Sequence, residues 1–449
     1  MRNYIIRYFK ISINMTLSRR CLLALGAVLL TVPAWAGIQT NARMHAAARR
    51  VLGAGGQVSR VADYQGMAVY HQAGGGFAIV SSDGNAPAVL AYSPDGQFDP
   101  TSDNPGFNWW LGAIKRAPHR DPIKPDPSRF APSVAPLITT RWGQNEPFRY
   151  MCPFLAYEPD LSKYGIYLPD TTHNAVGCGP AAMAQYMYFY RYPDNGRGSR
   201  SVVVKYDQAN VTLTVDFETA TYEWDNMLDD YSGGYTDQQG EAVAQLCYHA
   251  AVAAQTNWTR LGGATFDENI LNAMIEHFGY NDSARVLNRP LYDDVTWVEM
   301  IYESLSSGHP VLYSGKDINF EVGLLVGHNF IIDGYDENGL VHVNWGWHGQ
   351  QDGYYDIATL TVGKLSFDDW QGMYTGLYPK REHLRGDVDG DGKVNITDVT
   401  TLIDILLTGS GNYVPAADVD EDGKVNITDV TTLIDILLTG NTIKRSFHL

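Results

Sequence analysis

Three rhythms of apolar and polar positions run along this chain, and each marks a different kind of segment. The first is an unbroken apolar run, Cys21–Leu30, preceded by Arg19-Arg20 and followed by small residues at Ala34-Trp-Ala36. That order predicts an export signal over residues 1–36. The run is too short for a membrane span, and no other stretch approaches one, so none is expected after signal cleavage. The second rhythm belongs to short strands and helices. Thr40–Leu52 predicts a helix. Met67–Gln72 and Phe77–Ser82 predict a hairpin across Gly74-Gly75-Gly76, and Ala88–Tyr92 predicts a third strand. Phe107, Trp110, Leu111 and Ile114 share one helical face. Prolines and basic residues then alternate from Lys115 to Leu137, which excludes regular helix and predicts an extended, exposed, protease-sensitive linker. The third rhythm, a helical stripe of Val399, Leu402, Ile403 and Leu406, occurs twice near the end of the chain.

Two central stretches carry chemistry. In Asn174–Met187, Gly177 and Gly179 flank Cys178, Pro180 suits a first helical turn, and good helix formers follow. Cys178 therefore sits where a tight loop becomes a helix, and the positive end of a helix dipole favours a thiolate. A buried structural cysteine is the plain alternative. Val326–Tyr335 reads as a buried strand and Leu340–Trp347 as its return. An apolar strand does not need an imidazole, so His328 is either a satisfied core histidine or a base. Asn344 follows on the return strand. A loop centred on Asp336 would set Asn344 directly opposite His328, and one centred on Asn338 would offset them. An asparagine accepting from one ring nitrogen would fix the tautomer and aim the other nitrogen at a thiol. Trp345 and Trp347 would screen the pair from water. A cysteine of ordinary pKa, ~8.5, is mostly protonated at neutral pH, and a neighbouring imidazolium both favours the thiolate and protonates a leaving amine.

Charge narrows the function classes. The net charge of −17 argues against a nucleic-acid partner. Eleven Asp/Glu against two Lys place −9 of it in residues 386–440. Removal of the signal leaves Cys152, Cys178 and Cys247, an odd number that implies at least one free thiol; Cys152 and Cys247 either pair or stay reduced.

The acidic tail is a repeat. Gly392–Gly409 and Gly423–Gly440 are identical, and each follows an Asp-x-Asp-x-Asp triplet. Alternate oxygens, a glycine at the sixth position and a carbonyl at the seventh make the start of a calcium loop. The first candidate ligand set is Asp387, Asp389, Asp391, the Lys393 carbonyl, Asn395 and Asp398. The second is Asp418, Asp420, Asp422, the Lys424 carbonyl, Asn426 and Asp429. Two bound Ca2+ are expected there, and no cofactor for catalysis. Neither loop has an entering helix, so these are not EF-hand pairs. The tail resembles a type I dockerin, which implies docking to a cohesin on a scaffold or cell surface, with Ile396, Thr397, Ile427 and Thr428 at partner-contacting positions.

The central motifs also resemble a known family. Gly177-Cys178 with Ala184–Met187, Val326–Gly334 and His342–Gly349 are similar to the streptopain family of secreted cysteine peptidases. Trp142–Phe148, Tyr222–Asn226 and Phe278–Tyr280 fit the same pattern. The resemblance implies a papain-like α+β fold, with a helical part carrying Cys178 and a sheet part carrying His328. It also implies endopeptidase activity on proteins and autocatalytic removal of an inhibitory propeptide. Cys178 matches the nucleophile and His328 the base, with Asn344 and Trp345 at the positions that orient and shield the histidine. Gly179-Pro180 depart from the Val-Ala expected after the nucleophile. Thr172 stands where papain-type enzymes keep an oxyanion glutamine, and the streptopain-like pattern implies that the role falls to Gln144, whose plain alternative is an ordinary surface amide. The expected organisation is a signal (1–36), a small α+β propeptide with its Pro-rich linker (37–130), a papain-like peptidase (131–379), a linker (380–385) and a small all-α calcium-binding dockerin (386–441). The expected function is that of a secreted or surface-tethered cysteine endopeptidase zymogen acting on proteins and restrained by its own propeptide. The rival readings are a catalytically silent dockerin-borne binding protein and another papain-like thiol enzyme, an amidase or transpeptidase.

Overall fold

The computed structural model describes residues 34 to 439 except 54, 65–66, 82–88, 117–121, 155–172, 206–209, 260–261, 320–323, 358–368, 381–384, 390–392, 409–414 and 421–423. The signal run Cys21–Leu30 and Thr172 lie outside these residues. Helix α1 (Ala34–Leu52) is followed by four strands: β1 (Val58–Tyr64), β2 (Met67–Gln72), β3 (Phe77–Ser81) and β4 (Val89–Ser93). The hairpin expected across Gly74-Gly75-Gly76 is present, and all three glycines have positive φ. Strand β1 escaped the sequence reading because Arg60, Asp63 and an exposed Val61 break its alternation. Helix α2 (Pro105–Arg116) places Phe107, Trp110, Leu111 and Ile114 in the core as its spacing requires.

The next unit is helical, then mostly sheet. Helix α3 (Cys178–Tyr190) precedes two small hairpins, β5 (Ser199–Lys205) with β6 (Asn210–Asp216), and β7 (Asn257–Thr259) with β8 (Gly262–Ala264). Helix α4 (Asp237–Ala253) lies between them. Helix α5 (Asp267–Glu276), strand β9 (Arg285–Asn288) and helix α6 (Asp294–Ser306) follow. Strands β10 (Val311–Asn319), β11 (Leu324–Tyr335), β12 (Val341–Asn344), β13 (Gly353–Tyr355) and β14 (Asp369–Thr375) complete the sheet.

One ten-stranded sheet runs in the order β1-β2-β3-β4-β13-β12-β11-β10-β14-β9. The four N-terminal strands thus extend the sheet of the central unit, joined where Tyr92 and Ala91 meet Tyr354 and Tyr355. Alternation along β11 sorts its side chains between two cores. Ile331 packs with α3, α4 and α5, among Ala181, Met183 and Val243. Phe330 and Ile332 pack on the other face with Phe107, Trp109 and Trp110 of α2 and Trp297 of α6. The N-terminal unit therefore finishes the core of the central one.

Among the described residues past Arg116, the Pro-rich segment has no regular helix and is mostly exposed, as its composition predicts, but it is anchored at a few points. Residues 117–121 lie outside the described residues. Past Pro122 three contacts hold it: Phe130 is buried, the Ile123 carbonyl accepts from Tyr302, and Val134 pairs with Tyr335. Proline removes donors from this segment, but its carbonyls and side chains still find partners on the sheet edge. Cys152 and Cys247 are buried free thiols, each pushed up in pKa chiefly by burial. Among the described residues, no helix is long and apolar enough to cross a membrane. The tail has a core of its own, built from Val388, Val399, Leu402, Val419, Val430 and Leu433. Its two helices are α7 (Ile396–Thr408) and α8 (Ile427–Thr439).

Candidate active site

Cys178 opens helix α3, as its flanking glycines predict. Gly177 has φ 98°, and a side chain there would press against the Gly263 carbonyl of β8. Gly179 is equally constrained, because a Cβ would lie 2.9 Å from Ile270 Cδ1 and 3.2 Å from Thr265 Cβ. That crowding accounts for Gly179 where a larger residue was expected. Cys178 itself is partly exposed, but the protein encloses its thiol closely. Burial raises its pKa; the backbone N–H groups of Asn329, Gly179 and Cys178 oppose the rise, and the Asp267 charge adds to it.

His328 is buried on the opposite, α2-facing side of β11. Its Nε2 donates to the Trp345 carbonyl at 2.7 Å, while Nδ1 has no hydrogen-bond partner among the described residues. Burial lowers its pKa to about 4, with the carbonyl bond opposing the fall. Helix α2 covers the ring, and a Cβ at Gly106 would overlap both His328 and the Trp345 ring. The thiol and the imidazole are thus not bonded to each other. The side-chain hydrogen bond of Cys178 goes to Asn329 Oδ1, at 3.9 Å.

The structure brings only some of the expected residues into contact. Asn344 pairs with Ile331 and Tyr335 with Val341, which is the offset register centred near Asn338. Its amide donates to Thr140 O at 2.7 Å and accepts from Gly346 N at 3.0 Å, so it does not hold the His328 ring. The backbone carbonyl of Trp345 orients the ring instead, a role that no side-chain motif signals. The Trp345 indole is fully buried against Phe330, and Trp347 stands edge-on to His328. Gln144 is buried, and its backbone carbonyl accepts from Val176 N at 3.1 Å, tying its segment to the loop that delivers Cys178. Asn329 and Asp267 were missed from sequence. Each is an ordinary polar residue until the fold sets it beside the thiol.

The covered histidine gives a direct prediction. Gly106→Ala in the full chain puts a methyl group into a filled space, and such overpacking costs about 1–3 kcal/mol. The onset of proteolysis should come about 5- to 150-fold sooner, read from the lag before casein hydrolysis. An unchanged lag would show that α2 does not restrain the histidine.

In the tail, carboxylate oxygens of Asp387, Asp389 and Asp398 lie within 4.8 Å of one another, as do those of Asp418, Asp420 and Asp429. Asp398 is fully buried and accepts from the N–H groups of Val388, Asp389 and Asn395. Asp429 likewise accepts from Asp420 and Asn426. The Asn395 and Asn426 side chains accept from Thr397 and Thr428, as N-caps do. Asp391 and Asp422 lie outside the described residues. All-oxygen donor sets of this kind suit a hard divalent cation.

A cysteine at a helix start, a covered imidazole on an adjacent strand and an N-terminal unit forming the cover define a papain-like cysteine peptidase in its proenzyme form. The chain belongs to the Peptidase C10 family, whose model matches residues 142–355. Residues 38–117 match the Spi protease inhibitor model and residues 385–438 the dockerin type I domain. Streptopain of Streptococcus pyogenes is 27% identical over 331 residues, 70% of this chain and 81% of that protein. A thiol protease/hemagglutinin of Porphyromonas gingivalis is 28% identical over 321 residues, 67% of this chain and 34% of its own length. Among solved structures, a prointerpain A fragment of Prevotella intermedia is 34% identical with a TM-score of 0.63, covering 72% of this chain and 99% of that one. Active interpain A from the same organism is 35% identical with a TM-score of 0.50, covering 57% and 99%. The protein is a cysteine-type endopeptidase with an inhibitory N-terminal domain and a C-terminal type I dockerin domain.

Proposed function

We propose that this protein is exported as a zymogen and hydrolyses protein substrates with a Cys178–His328 pair once its N-terminal unit is removed. The observation that carries the reading is the state of His328. Its Nε2–H is held by a carbonyl, its Nδ1 has no hydrogen-bond partner among the described residues, and a helix of the inhibitory unit lies over it. Withdrawal of α2 frees the ring to reach Cys178. Nδ1 then takes the thiol proton, and the thiolate attacks the substrate carbonyl carbon. The imidazolium returns that proton to the leaving amine, and a water activated by the same nitrogen hydrolyses the thioacyl-enzyme. The domain limits we assign are those expected from sequence, 37–130 for the propeptide, 131–379 for the peptidase and 386–441 for the dockerin. The experiment is expression of residues 37–449 beside its Cys178→Ala variant. The unaltered chain should process itself and cleave casein, and the variant should do neither. Activity in both would remove the thiol from the mechanism.

Gln144 and the Cys178 backbone N–H are assigned to the developing oxyanion. Support comes from the bond between the Gln144 backbone carbonyl and Val176 N–H, which ties its segment to the nucleophile's loop, and from the burial of the residue. Loss of one such donor costs ~2.7–4 kcal/mol, so Gln144→Ala should lower kcat about 100- to 1,000-fold with KM little changed. Near-normal turnover would release Gln144 from this role.

The tail would hold two Ca2+, one per loop, through Asp387, Asp389 and Asp398 and through Asp418, Asp420 and Asp429. Asp391, Asp422, Asn395, Asn426 and the Lys393 and Lys424 carbonyls complete the sets. The ions would lock loop to helix, and the domain would dock a cohesin at the cell surface or on a scaffold. Ile396 and Ile427 are each 66% exposed at matching positions of the two copies, which supports two equivalent contact faces.

A further inference from the structure

His328 does not face the thiol in this structure; Asn329 does. Its Oδ1 accepts from Cys178 Sγ at 3.9 Å, and its Nδ2 donates to Asp267 Oδ1 at 3.1 Å. Asp267 is itself buried. Its other oxygen accepts from Ser314 Oγ at 3.0 Å and from the Lys316 ammonium, and its backbone carbonyl accepts from the Tyr374 hydroxyl. The chain of contacts has a sense. An ionised carboxylate only accepts, so it selects the NH2 end of the Asn329 amide. The carbonyl end is then forced toward the sulfur. An oxygen acceptor in that place stabilises S–H over S−, whereas a reversed amide would donate to the thiolate.

We propose that Asp267, acting through the amide of Asn329, is a positioning residue that keeps Cys178 a neutral thiol in the uncleaved chain. This lock is separate from the cover over His328, and it rests on the reading of Cys178 as the nucleophile. The charged and titratable groups around the thiol are few. Asp267 comes from α5, Lys316 from β10 and Tyr374 from β14, while His328 of β11 is turned to Trp345. Lys316 offsets part of the Asp267 charge, so the amide's orientation adds to burial in favouring the thiol against the backbone N–H groups of Asn329, Gly179 and Cys178. Ser314 and Lys316 also keep the carboxylate in place. On activation the proton passes from Sγ to His328 Nδ1, and the resulting imidazolium replaces the Asn329 oxygen as the partner of sulfur.

The test uses the full chain carrying His328→Ala, which cannot process itself. Iodoacetamide alkylation is followed against pH, with peptide mass mapping to separate Cys178 from Cys152 and Cys247. In that background Asp267→Asn frees the amide to reverse. The midpoint of Cys178 alkylation should fall by about one pH unit, about tenfold faster labelling at neutral pH. Lys316→Met leaves the Asp267 charge uncompensated and should move the midpoint the other way. This second arm decides the matter if Asp267→Asn does not fold, as judged by its near-ultraviolet circular dichroism. Midpoints unchanged in the folded variants overturn the lock alone. Casein cleavage by a Cys178→Ala chain would overturn instead the nucleophile reading beneath it.

Discussion

Replacing His328 with alanine should lower kcat on casein by on the order of 10⁴- to 10⁶-fold, with the fold intact. The size follows from what the thiol lacks without it. Burial raises the pKa of Cys178, and backbone N–H groups offset that only partly, so a proton acceptor has to come to the sulfur. His328 is equipped for the task once uncovered, with a fixed Nε2–H and an Nδ1 that has no partner among the described residues. The same residue gives the zymogen a pH dependence. Burial depresses its pKa from 6.5 to about 4, so the covered state binds fewer protons than the uncovered one. His328 therefore favours the covered state above its ordinary pKa, and that contribution is lost as pH falls through about 4. Asp352 works in the opposite sense, since burial raises its pKa to about 7 and acid favours its buried, neutral form. The two are separated by comparing melting of Cys178→Ala with that of Cys178→Ala/His328→Ala. The histidine-bearing chain should lose stability relative to the double variant as pH falls from 6.5 toward about 4. A constant difference between them would mean that His328 is not buried in the zymogen.

Removal of calcium should unfold the tail while leaving peptidase activity in place. The tail helices bury a small core, and the buried carboxylates of Asp398 and Asp429 knit the loops together by accepting backbone N–H groups. Without a cation, the acidic side chains of each loop repel one another at close range. A site filled at a thousandfold excess over Kd stabilises a fold by about 4 kcal/mol, enough to decide whether so small a domain forms. Calorimetric titration of the full chain should show two binding events. Asp398→Ala should remove one of them, and Asp398→Ala with Asp429→Ala both. Capture of a cohesin should then fail, with casein hydrolysis unchanged. Two events surviving in the double variant would place the ions elsewhere.

Much of the site was legible because local chemistry dictated it. Gly177 and Gly179 are dictated by close contacts with Gly263, Thr265 and Ile270, so the motif around Cys178 announces a tight turn before any fold is known. The acidic repeat is legible for a similar reason, since its ligands are close in sequence. What stayed hidden depends on distant segments meeting. Two hairpin registers were open from sequence, and the turn is centred near Asn338, which sets Asn344 opposite Ile331 and leaves a backbone carbonyl to orient the ring. The exposure of the Pro-rich segment was legible because prolines break local structure, but its anchors, Phe130 on Tyr302 and Val134 on Tyr335, were not. The link from Asp267 to Asn329 joins residues 62 positions apart, and only the packing of α5 against the sheet brings them together.

The central claim is that Cys178 becomes a reactive nucleophile when the N-terminal unit leaves. An epoxide thiol probe, applied before and after processing of the full chain and located by peptide mass spectrometry, tests it most directly. The account predicts no labelling of Cys178 in the uncleaved chain and stoichiometric labelling afterwards, with Cys152 and Cys247 silent in both. Equal labelling of Cys178 in both forms, or none in the processed form, would contradict it.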